Sequence, residues 1–428
     1  MKRFQLFSIL TSFLLSAGAL HAGPTNAYVT NFTDGTVSVI NTSTNVVTAT
    51  VTILPSGSSP NGVAITPNGS FVYVTNYNAN PGTVSVINTS TNTVTSTVTV
   101  GLQPDGVAIT PNGLFAYVTT ITGNPNTVSI ISTSTNSITA TVAVGQVPRG
   151  VAITPNGLFA YVANAGDGIN PSTVSVINTS TNTVTAAVTV GIQPQGVAIT
   201  PNGSFAYVTN FNAVPGTVSV INTSTNSITA TITVGLNPHG VAITPNGSFA
   251  YVANSGVNTV SVINTSTHSV IKTVTLPVNS GPRGVAIAPN GSFAYITNYD
   301  GGAGNTVDVI DTSTNSVIAT VFLPAGSGPI NIAMSSFLQP PSCISGFQKK
   351  DRFLTQTDLY NTITWCASPS FFVTSYNIYR NGTPIGSVPA TQLTFEDHNR
   401  RKGEKYLYTV AAVSSGGGIS LPATITLP

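Results

Sequence analysis

Charged residues are scarce in this sequence, and that scarcity excludes one large class of function. Only 6% of the 428 residues are Asp, Glu, Lys or Arg, whereas an ordinary soluble domain has roughly 25%. The formal net charge is +2. A nucleic-acid-binding protein needs a basic surface that neutralises phosphates. The composition therefore predicts no nucleic-acid partner.

Long hydrophobic runs are missing except at the N-terminus. Residues 1–22 begin with two basic side chains, continue through an apolar stretch to Leu20 and end in small residues. This arrangement is typical of a secretory signal peptide that is cleaved after Ala19 or Ala22. An uncleaved N-terminal anchor is the alternative. No other segment has the about 20 apolar residues of a spanning helix. We therefore expect an exported chain without a membrane span, located in the periplasm, on the cell surface or outside the cell.

Cysteine is nearly absent, and no cofactor signature is present. Cys343 and Cys366 are the two cysteines, and in an exported chain such a pair predicts a disulfide, with two free buried thiols as the alternative. There is no Cys-x-x-Cys-His haem motif, and the four histidines lack zinc spacing. Asp167 and Asp300 stand alone in Gly-rich and Asn-rich loops, without the carboxylate cluster of a calcium site. The sequence predicts no cofactor and no metal.

A repeat fills most of the chain. A Tyr-Val-Thr-Asn segment or a close variant recurs every 44 to 46 residues, with its tyrosine at Tyr28, Tyr73, Tyr117, Tyr161, Tyr207, Tyr251 and Tyr295. Each unit contains four candidate strands, namely GVAIT, SFAYVTN, TVSVINT and a Thr-rich run, separated by Pro-Asn-Gly and NTSTN turns. Seven units of this length predict a seven-bladed β-propeller.

The two ends of the repeat predict how the ring closes. The first unit begins at its second strand, residues 26–31, whereas a lone first strand, residues 330–336, follows the last unit. We expect these two segments to pair in one shared blade, which would remove two exposed sheet edges. An open solenoid is the alternative, and it would leave both ends uncovered.

These motifs resemble the YVTN-repeat family of β-propellers, which includes surface-layer and other exported proteins. The resemblance covers residues 26–336 and rests on Tyr-Val-Thr-Asn, Thr-Val-Ser-Val-Ile and Gly-Val-Ala-Ile-Thr-Pro-Asn-Gly. The chain has Asn at turn positions where the family often has Asp. The resemblance implies an exported, surface-associated propeller, and it implies no reaction.

The repeats differ from one another at one face of the predicted ring. The loop between strands one and two has a constant length, but the distance from the tyrosine to the third strand varies from 8 to 12 residues. The residue between Pro and Gly at the start of each first strand also varies in chemistry. Because these first strands should line the central channel, we expect a channel-mouth ring of candidate ligand-binding residues: Asn61, Asp105, Arg149, Gln195, His239 and Arg283, with Ile330 in the closing blade. Solvated loop residues without a function are the alternative.

The C-terminal region has a different composition and pattern. The propeller is predicted over residues 23–336, a Pro-rich linker over 337–342 and a second domain over 343–428, which contains eight Lys or Arg residues and five Asp or Glu residues. Trp365, Tyr376 and the Tyr406-x-Tyr-x-Val run resemble the fibronectin type III pattern, which implies a small β-sandwich. In that fold Cys343 and Cys366 would face each other across two strands, and Tyr406 would form a tyrosine corner.

Three functional hypotheses follow. The first is a non-catalytic binding or surface-interaction protein whose variable face meets an unidentified protein or glycan. The second is a lactonase-like hydrolase that acts at the channel mouth, because some propellers with related sequences resemble lactonases. The propeller has no Glu, and no Ser or Thr stands out as a nucleophile, so the sequence favours binding. The third is a structural surface-layer subunit.

Overall fold

The computed structural model describes residues 25–121, 125–168, 171–335, 342–353, 356–368, 373–398, 400–401, 404–414, 420 and 423–428. The predicted signal peptide and all of the predicted linker except its last residue, Ser342, lie outside these ranges. Within them the chain is almost entirely β-structure, with one short 3-10 turn at Asp300–Gly302.

Seven four-stranded antiparallel sheets form the propeller, and in six of them the strands follow chain order from the channel outward. Blade 1 contains β1 (Asn26–Asn31), β2 (Thr36–Asn41) and β3 (Val46–Thr52). Blade 2 contains β4 (Pro60–Ile65), β5 (Phe71–Asn76), β6 (Thr83–Asn88) and β7 (Thr93–Thr99). Blade 3 contains β8 (Pro104–Ile109), β9 (Phe115–Thr120), β10 (Thr127–Ser132) and β11 (Ser137–Ala143). Blade 4 contains β12 (Pro148–Ile153), β13 (Phe159–Asn164), β14 (Pro171–Asn178) and β15 (Thr183–Ile192).

The remaining three blades have the same plan. Blade 5 contains β16 (Pro194–Ile199), β17 (Phe205–Asn210), β18 (Thr217–Asn222) and β19 (Ser227–Thr233). Blade 6 contains β20 (Pro238–Ile243), β21 (Phe249–Asn254), β22 (Thr259–Asn264) and β23 (Ser269–Thr275). Blade 7 contains β24 (Pro282–Ile287), β25 (Phe293–Asn298), β26 (Thr306–Asp311) and β27 (Ser316–Phe322). The last propeller strand, β28 (Pro329–Met334), is the innermost strand of blade 1.

The two ends of the propeller close the ring as predicted. Strand β28 pairs antiparallel with β1, and Tyr28 lies opposite Ala333. The backbone N–H of Ser335 donates to the carbonyl of Asn26 at 2.8 Å, which continues the pairing by one residue. This pairing confirms the expected shared blade, with the strand itself ending at Met334.

A hydrogen bond from the repeated tyrosine connects each blade to the next. The tyrosine is buried in the middle of the second strand, and its hydroxyl reaches the NTSTN-type turn of the following blade. The turn residue that it meets has a left-handed backbone, with φ of 50 to 55°, a conformation that Asn tolerates well. Six pairs join Tyr to Asn at 2.6 to 3.1 Å, and the seventh uses a histidine at 2.8 Å: Tyr28–Asn92, Tyr73–Asn136, Tyr117–Asn182, Tyr161–Asn226, Tyr251–Asn315, Tyr295–Asn45 and Tyr207–His268.

The threonine and asparagine of the same segment have separate functions. In five blades the threonine hydroxyl donates to a main-chain carbonyl in the inner strand of the next blade, as Thr75 does to Asp105 at 2.6 Å. The asparagine side chain instead stays within its own blade, where the Nδ2 of Asn31 donates to the hydroxyls of Thr36 and Ser38 at 2.8 Å. One segment therefore supplies contacts both within and between blades.

The glycine of six inner strands permits the close approach of neighbouring blades at the channel. A Cβ built on Gly150 would lie 2.4 Å from the carbonyl oxygen of Gln195 in the next blade, and the five equivalent glycines give 2.3 to 2.7 Å. Distances below 3.0 Å require a backbone shift. These positions therefore stay glycine while the preceding residue is free to vary.

The C-terminal domain is a small β-sandwich. Its three-stranded sheet contains β29 (Ser342–Phe353), β30 (Gln356–Cys366) and β33 (Thr394–Asp397). Its four-stranded sheet contains β31 (Val373–Arg380), β32 (Thr383–Pro389), β34 (Tyr406–Ser414) and β35 (Ala423–Leu427). Trp365 and Tyr376, from different sheets, pack edge to face with ring centroids 5.5 Å apart. Cys343 and Cys366 form the predicted disulfide, with Cα atoms 5.4 Å apart.

The tyrosine bond between blades yields a stability prediction. Tyr251→Phe keeps the ring but leaves the Oδ1 of Asn315 without its donor, so we expect the free energy of unfolding to fall by about 1 to 2 kcal/mol. Burial raises the pKa of Tyr251 to about 12, so the hydroxyl stays protonated and the effect should not change between pH 6 and 9. Urea unfolding followed by circular dichroism measures it. His268→Asn, which restores the asparagine of the other blades, is the control and should not destabilise. Equal stability of Tyr251→Phe and the parent chain would contradict the prediction.

Candidate functional site

The channel-mouth ring occupies the start of the seven inner strands. In each strand a proline is followed by the variable residue and then, in six of the seven blades, by the glycine that neighbouring backbone crowds. All six predicted residues, together with Ile330 and Asn331, line one cavity of about 220 Å³. The structure thus brings every predicted site residue together at one end of the channel. Their function in binding remains a prediction.

One half of the ring is joined by hydrogen bonds among its own side chains. Nη1 of Arg149 donates to Oδ2 of Asp105 at 2.8 Å, and Nδ2 of Asn61 donates to the same oxygen at 3.2 Å. Nδ2 of Asn331 in turn donates to Oδ1 of Asn61 at 3.1 Å. This series of hydrogen bonds runs across blades 1 to 4 and includes the only carboxylate of the ring.

The other half of the ring is open. Within the described part of the chain, no hydrogen bond engages the side chain of Gln195, the imidazole of His239 or the guanidinium of Arg283. Arg283 instead packs its Cζ 4.0 Å from the ring centre of Tyr299. The buried Nε of Arg149 also lacks a hydrogen-bond partner among the described residues. Donors therefore outnumber acceptors at the mouth.

The electrostatics of the mouth favour a neutral histidine between two cations. Burial, together with the positive charges of Arg283 and Arg149, lowers the pKa of His239 to about 3. Burial also lowers the pKa of Arg283, and repulsion from Arg149 adds to that effect. Burial raises the pKa of Asp105, and attraction to Arg149 offsets part of the rise. The ring thus holds two guanidinium groups, one paired carboxylate and one uncharged imidazole.

Sequence reasoning missed Asn331 and a set of aromatic side chains. Asn331 stands where the other inner strands have glycine, so only the structure shows that its amide joins the ring. The residue directly after the Tyr-Val-Thr-Asn segment is aromatic in four blades, and these half-buried side chains form an aromatic rim: Phe32, Tyr77, Phe211 and Tyr299. Phe32 contacts Tyr77 and Tyr299, with ring centroids 6.0 and 6.4 Å apart. The variation at this position, with Ile, Ala and Ser in the other blades, was the available signal.

The described residues contain no candidate metal site. No group of three His, Cys, Asp or Glu side chains is placed there to hold a metal ion. In the same ranges, no helix is long and apolar enough to cross a membrane.

Comparisons with known proteins support the fold. The family model described as "Lactonase, 7-bladed beta-propeller" matches residues 115–319, a little under half of the chain. No curated protein matches the sequence.

Solved structures share the propeller at low sequence identity. The chain is similar to hydrazine synthase of Kuenenia stuttgartiensis at 21% identity, with a TM-score of 0.55, over 65% of this chain and 95% of that one. It is similar to a functionally unknown protein of Desulfotomaculum acetoxidans at 20% identity, with a TM-score of 0.61, over 72% and 98%. It is similar to the periplasmic gluconolactonase PpgL of Pseudomonas aeruginosa at 15% identity, with a TM-score of 0.59, over 73% and 99%. These likenesses show the fold and no activity.

The lowered pKa of His239 predicts a pH-dependent stability. The unfolded chain takes up a proton at this imidazole near pH 6.5, whereas the folded chain does so only near pH 3. The stability contributed by the neutral imidazole is therefore complete above pH 6.5 and decreases as the pH falls towards 3, by at most about 1.4 kcal/mol per pH unit. His239→Asn removes this slope. Urea unfolding between pH 4 and 7 should give a shallower profile for the variant, and parallel profiles would contradict the prediction.

Proposed function

We propose that this chain is a non-catalytic binding protein whose channel mouth takes a carboxylate group of its ligand. The observation that carries the proposal is the excess of half-buried cationic donors over acceptors in the channel-mouth ring. Arg149 and Arg283 bring two guanidinium groups into one cavity, and the single carboxylate, Asp105, already accepts from Arg149 and Asn61.

A bound anion would reduce the electrostatic repulsion between the two guanidinium groups at the channel mouth. Arg283 and Arg149 repel each other, and both lie in a partly dehydrated site. The Nε of Arg149 and the guanidinium of Arg283, neither of which has a hydrogen bond in the described part of the chain, are donors in the planar geometry that carboxylates match. The neutral imidazole of His239 adds a donor without adding charge. Binding of one carboxylate would therefore satisfy several donors at once, among them the buried Nε of Arg149.

The same electrostatics argue against acid–base catalysis. An efficient general base has a pKa near the working pH, and the pKa of His239, about 3, makes it a weak base at neutrality. Asp105 is held by two donors and is unavailable as a free nucleophile or base. Binding is therefore the better match to this site.

An exported location is part of the proposal. The disulfide is the kind of bond that forms in oxidising compartments, and the sequence resemblance to YVTN-repeat proteins points to the cell surface. In the C-terminal domain, the hydroxyl of Tyr406 accepts the backbone N–H of Arg401, which lies five residues upstream of it, at 3.4 Å. Such a contact is typical of a tyrosine corner and supports the fibronectin type III interpretation. In this proposal the sandwich spaces or docks the propeller, and the variable face meets the protein or glycan partner that carries the anionic group.

A lactone hydrolase is the second candidate. It is favoured by the lactonase-type family model over residues 115–319 and by the similarity to a gluconolactonase. Ring opening of a lactone produces a hydroxy acid, and the two arginines would suit its carboxylate.

Binding of a simple anion tests the proposed function. The mature full-length chain is titrated at low salt with sodium acetate, and the dissociation constant is measured by NMR chemical-shift changes. Arg283→Met should weaken binding by about 10-fold or more, because a hydrogen bond to a charged group contributes about 1.5 to 3 kcal/mol. Lys272→Met removes the one remaining propeller cation, which is exposed on β23, and serves as the control with unchanged affinity. Equal effects of both variants, or no binding by the parent chain, would overturn the proposal.

Turnover of lactones separates the two candidates. We expect no hydrolysis above the uncatalysed rate when the chain is incubated with a panel of sugar and aliphatic lactones, followed by acid release in a pH-stat. Hydrolysis that disappears in both Arg149→Ala and His239→Ala would instead establish the enzyme. A residual rate that is unchanged in both variants would come from contamination.

A further inference from the structure

A second cavity adjoins the channel mouth and shares two of its residues. It has a volume of about 310 Å³ and lies on the side of blades 5 to 7, where His239 and Arg283 border both cavities. Phe211 and Tyr299 of the aromatic rim also line it. We call this cavity the side groove. A ligand held at Arg283 can therefore extend into the side groove without leaving the protein surface.

Two aromatic contacts shape the side groove. The ring of Phe211 lies 4.6 Å from the imidazole of His239, measured between centroids, and Tyr299 is covered on one side by the guanidinium of Arg283. Both aromatic residues remain half-buried, so part of each ring is open to a ligand. Flat π-faces and ring edges of this kind attract another aromatic ring in offset or edge-to-face geometry.

Two polar side chains of the side groove are engaged by the protein itself, whereas those of Asn279 and Asp300, which also line it, have no hydrogen bond among the described residues. Oδ1 of Asn258 accepts the backbone N–H of Gly281 at 2.9 Å, and Oγ of Ser255 donates to the carbonyl of Asn237 at 3.0 Å. The open ring surfaces of Phe211 and Tyr299, rather than the polar groups, therefore indicate the class of ligand.

We propose that the preferred ligand is an arylcarboxylate, with its carboxylate on Arg283 and its aromatic ring in the side groove beside Phe211. This inference rests on the proposed anion-binding function and adds the chemical class of the ligand. The volume of the side groove, about 310 Å³, is sufficient for such a ligand. An engineered cavity of about 150 Å³ in another protein holds benzene, so the side groove accommodates one aromatic ring with a short aliphatic linker.

Calorimetric titration of the mature full-length chain tests the ligand class. Three probes are compared at one pH and salt concentration: 3-phenylpropanoate, propanoate and gluconate. We expect 3-phenylpropanoate to bind roughly 10-fold more tightly than propanoate, as ring burial and one aromatic contact imply. Phe211→Ala should abolish this advantage and leave propanoate binding unchanged. Phe322→Ala removes an exposed phenylalanine on the outer strand β27, outside the side groove and the channel mouth, and is the control that should preserve the advantage.

The outcomes distinguish this inference from the proposed function. If 3-phenylpropanoate and propanoate bind equally and Phe211→Ala alters neither, the arylcarboxylate assignment is overturned while the anion site stands. Tighter binding of gluconate than of 3-phenylpropanoate also overturns it, in favour of a polyhydroxy acid. If no probe binds, both proposals fail. Thermal unfolding of each variant verifies that lost binding does not come from lost folding.

Discussion

The hydrogen bond from each tyrosine to the turn of the next blade is the interaction on which the propeller depends. It has one partner in a buried second strand and the other at a left-handed turn position, so both blades must be folded for it to form. Every blade donates one such bond and receives another, including the pair Tyr295–Asn45 that joins blade 7 to blade 1. Each blade is therefore held by its two neighbours, and the pairing of β28 with β1 in one sheet closes the ring.

The separate contacts of the repeated residues explain why the side chain varies at one position of the inner strand while most other positions recur from blade to blade. Tyr, Thr, Asn and Gly each have a contact that another residue type would lose, so their positions recur in nearly every blade. The side chain of the residue between the inner-strand proline and glycine makes no contact that recurs from blade to blade. Three of the nine propeller charges stand there, Asp105, Arg149 and Arg283, although the ring supplies only one position per blade. Charge is thus concentrated where blades meet and water is partly excluded.

The sequence predicted the blades, the closing pair and the location of the ring because these depend on local periodicity and on counting strands. It could not predict which ring residues bond to one another. Arg149 and Asp105 belong to adjacent blades, and their 2.8 Å contact depends on side-chain reach across the channel. Asn331 could not be predicted because its place in the repeat belongs to glycine, and the aromatic rim could not be predicted from loop lengths because its signal is the residue type at one loop position. The disulfide was predictable from two cysteines alone, whereas the partition of the sandwich into sheets of three and four strands depends on pairing between distant segments, which no local pattern reveals.

The open half of the ring is also where fewer bonds hold neighbouring blades together. In five blades a threonine hydroxyl donates to the carbonyl of the next variable residue, but Ala163 and Ala253 replace that threonine in blades 4 and 6. The carbonyls that lack this donor belong to Gln195 and Arg283, two of the three ring residues whose side chains have no hydrogen bond within the described chain. Local consistency of sequence and structure is commonly relaxed at functional sites, where stability is exchanged for an available surface. The two blades without this threonine and the ring side chains without a hydrogen bond therefore lie on the same side of the channel mouth. The side groove opens on that side.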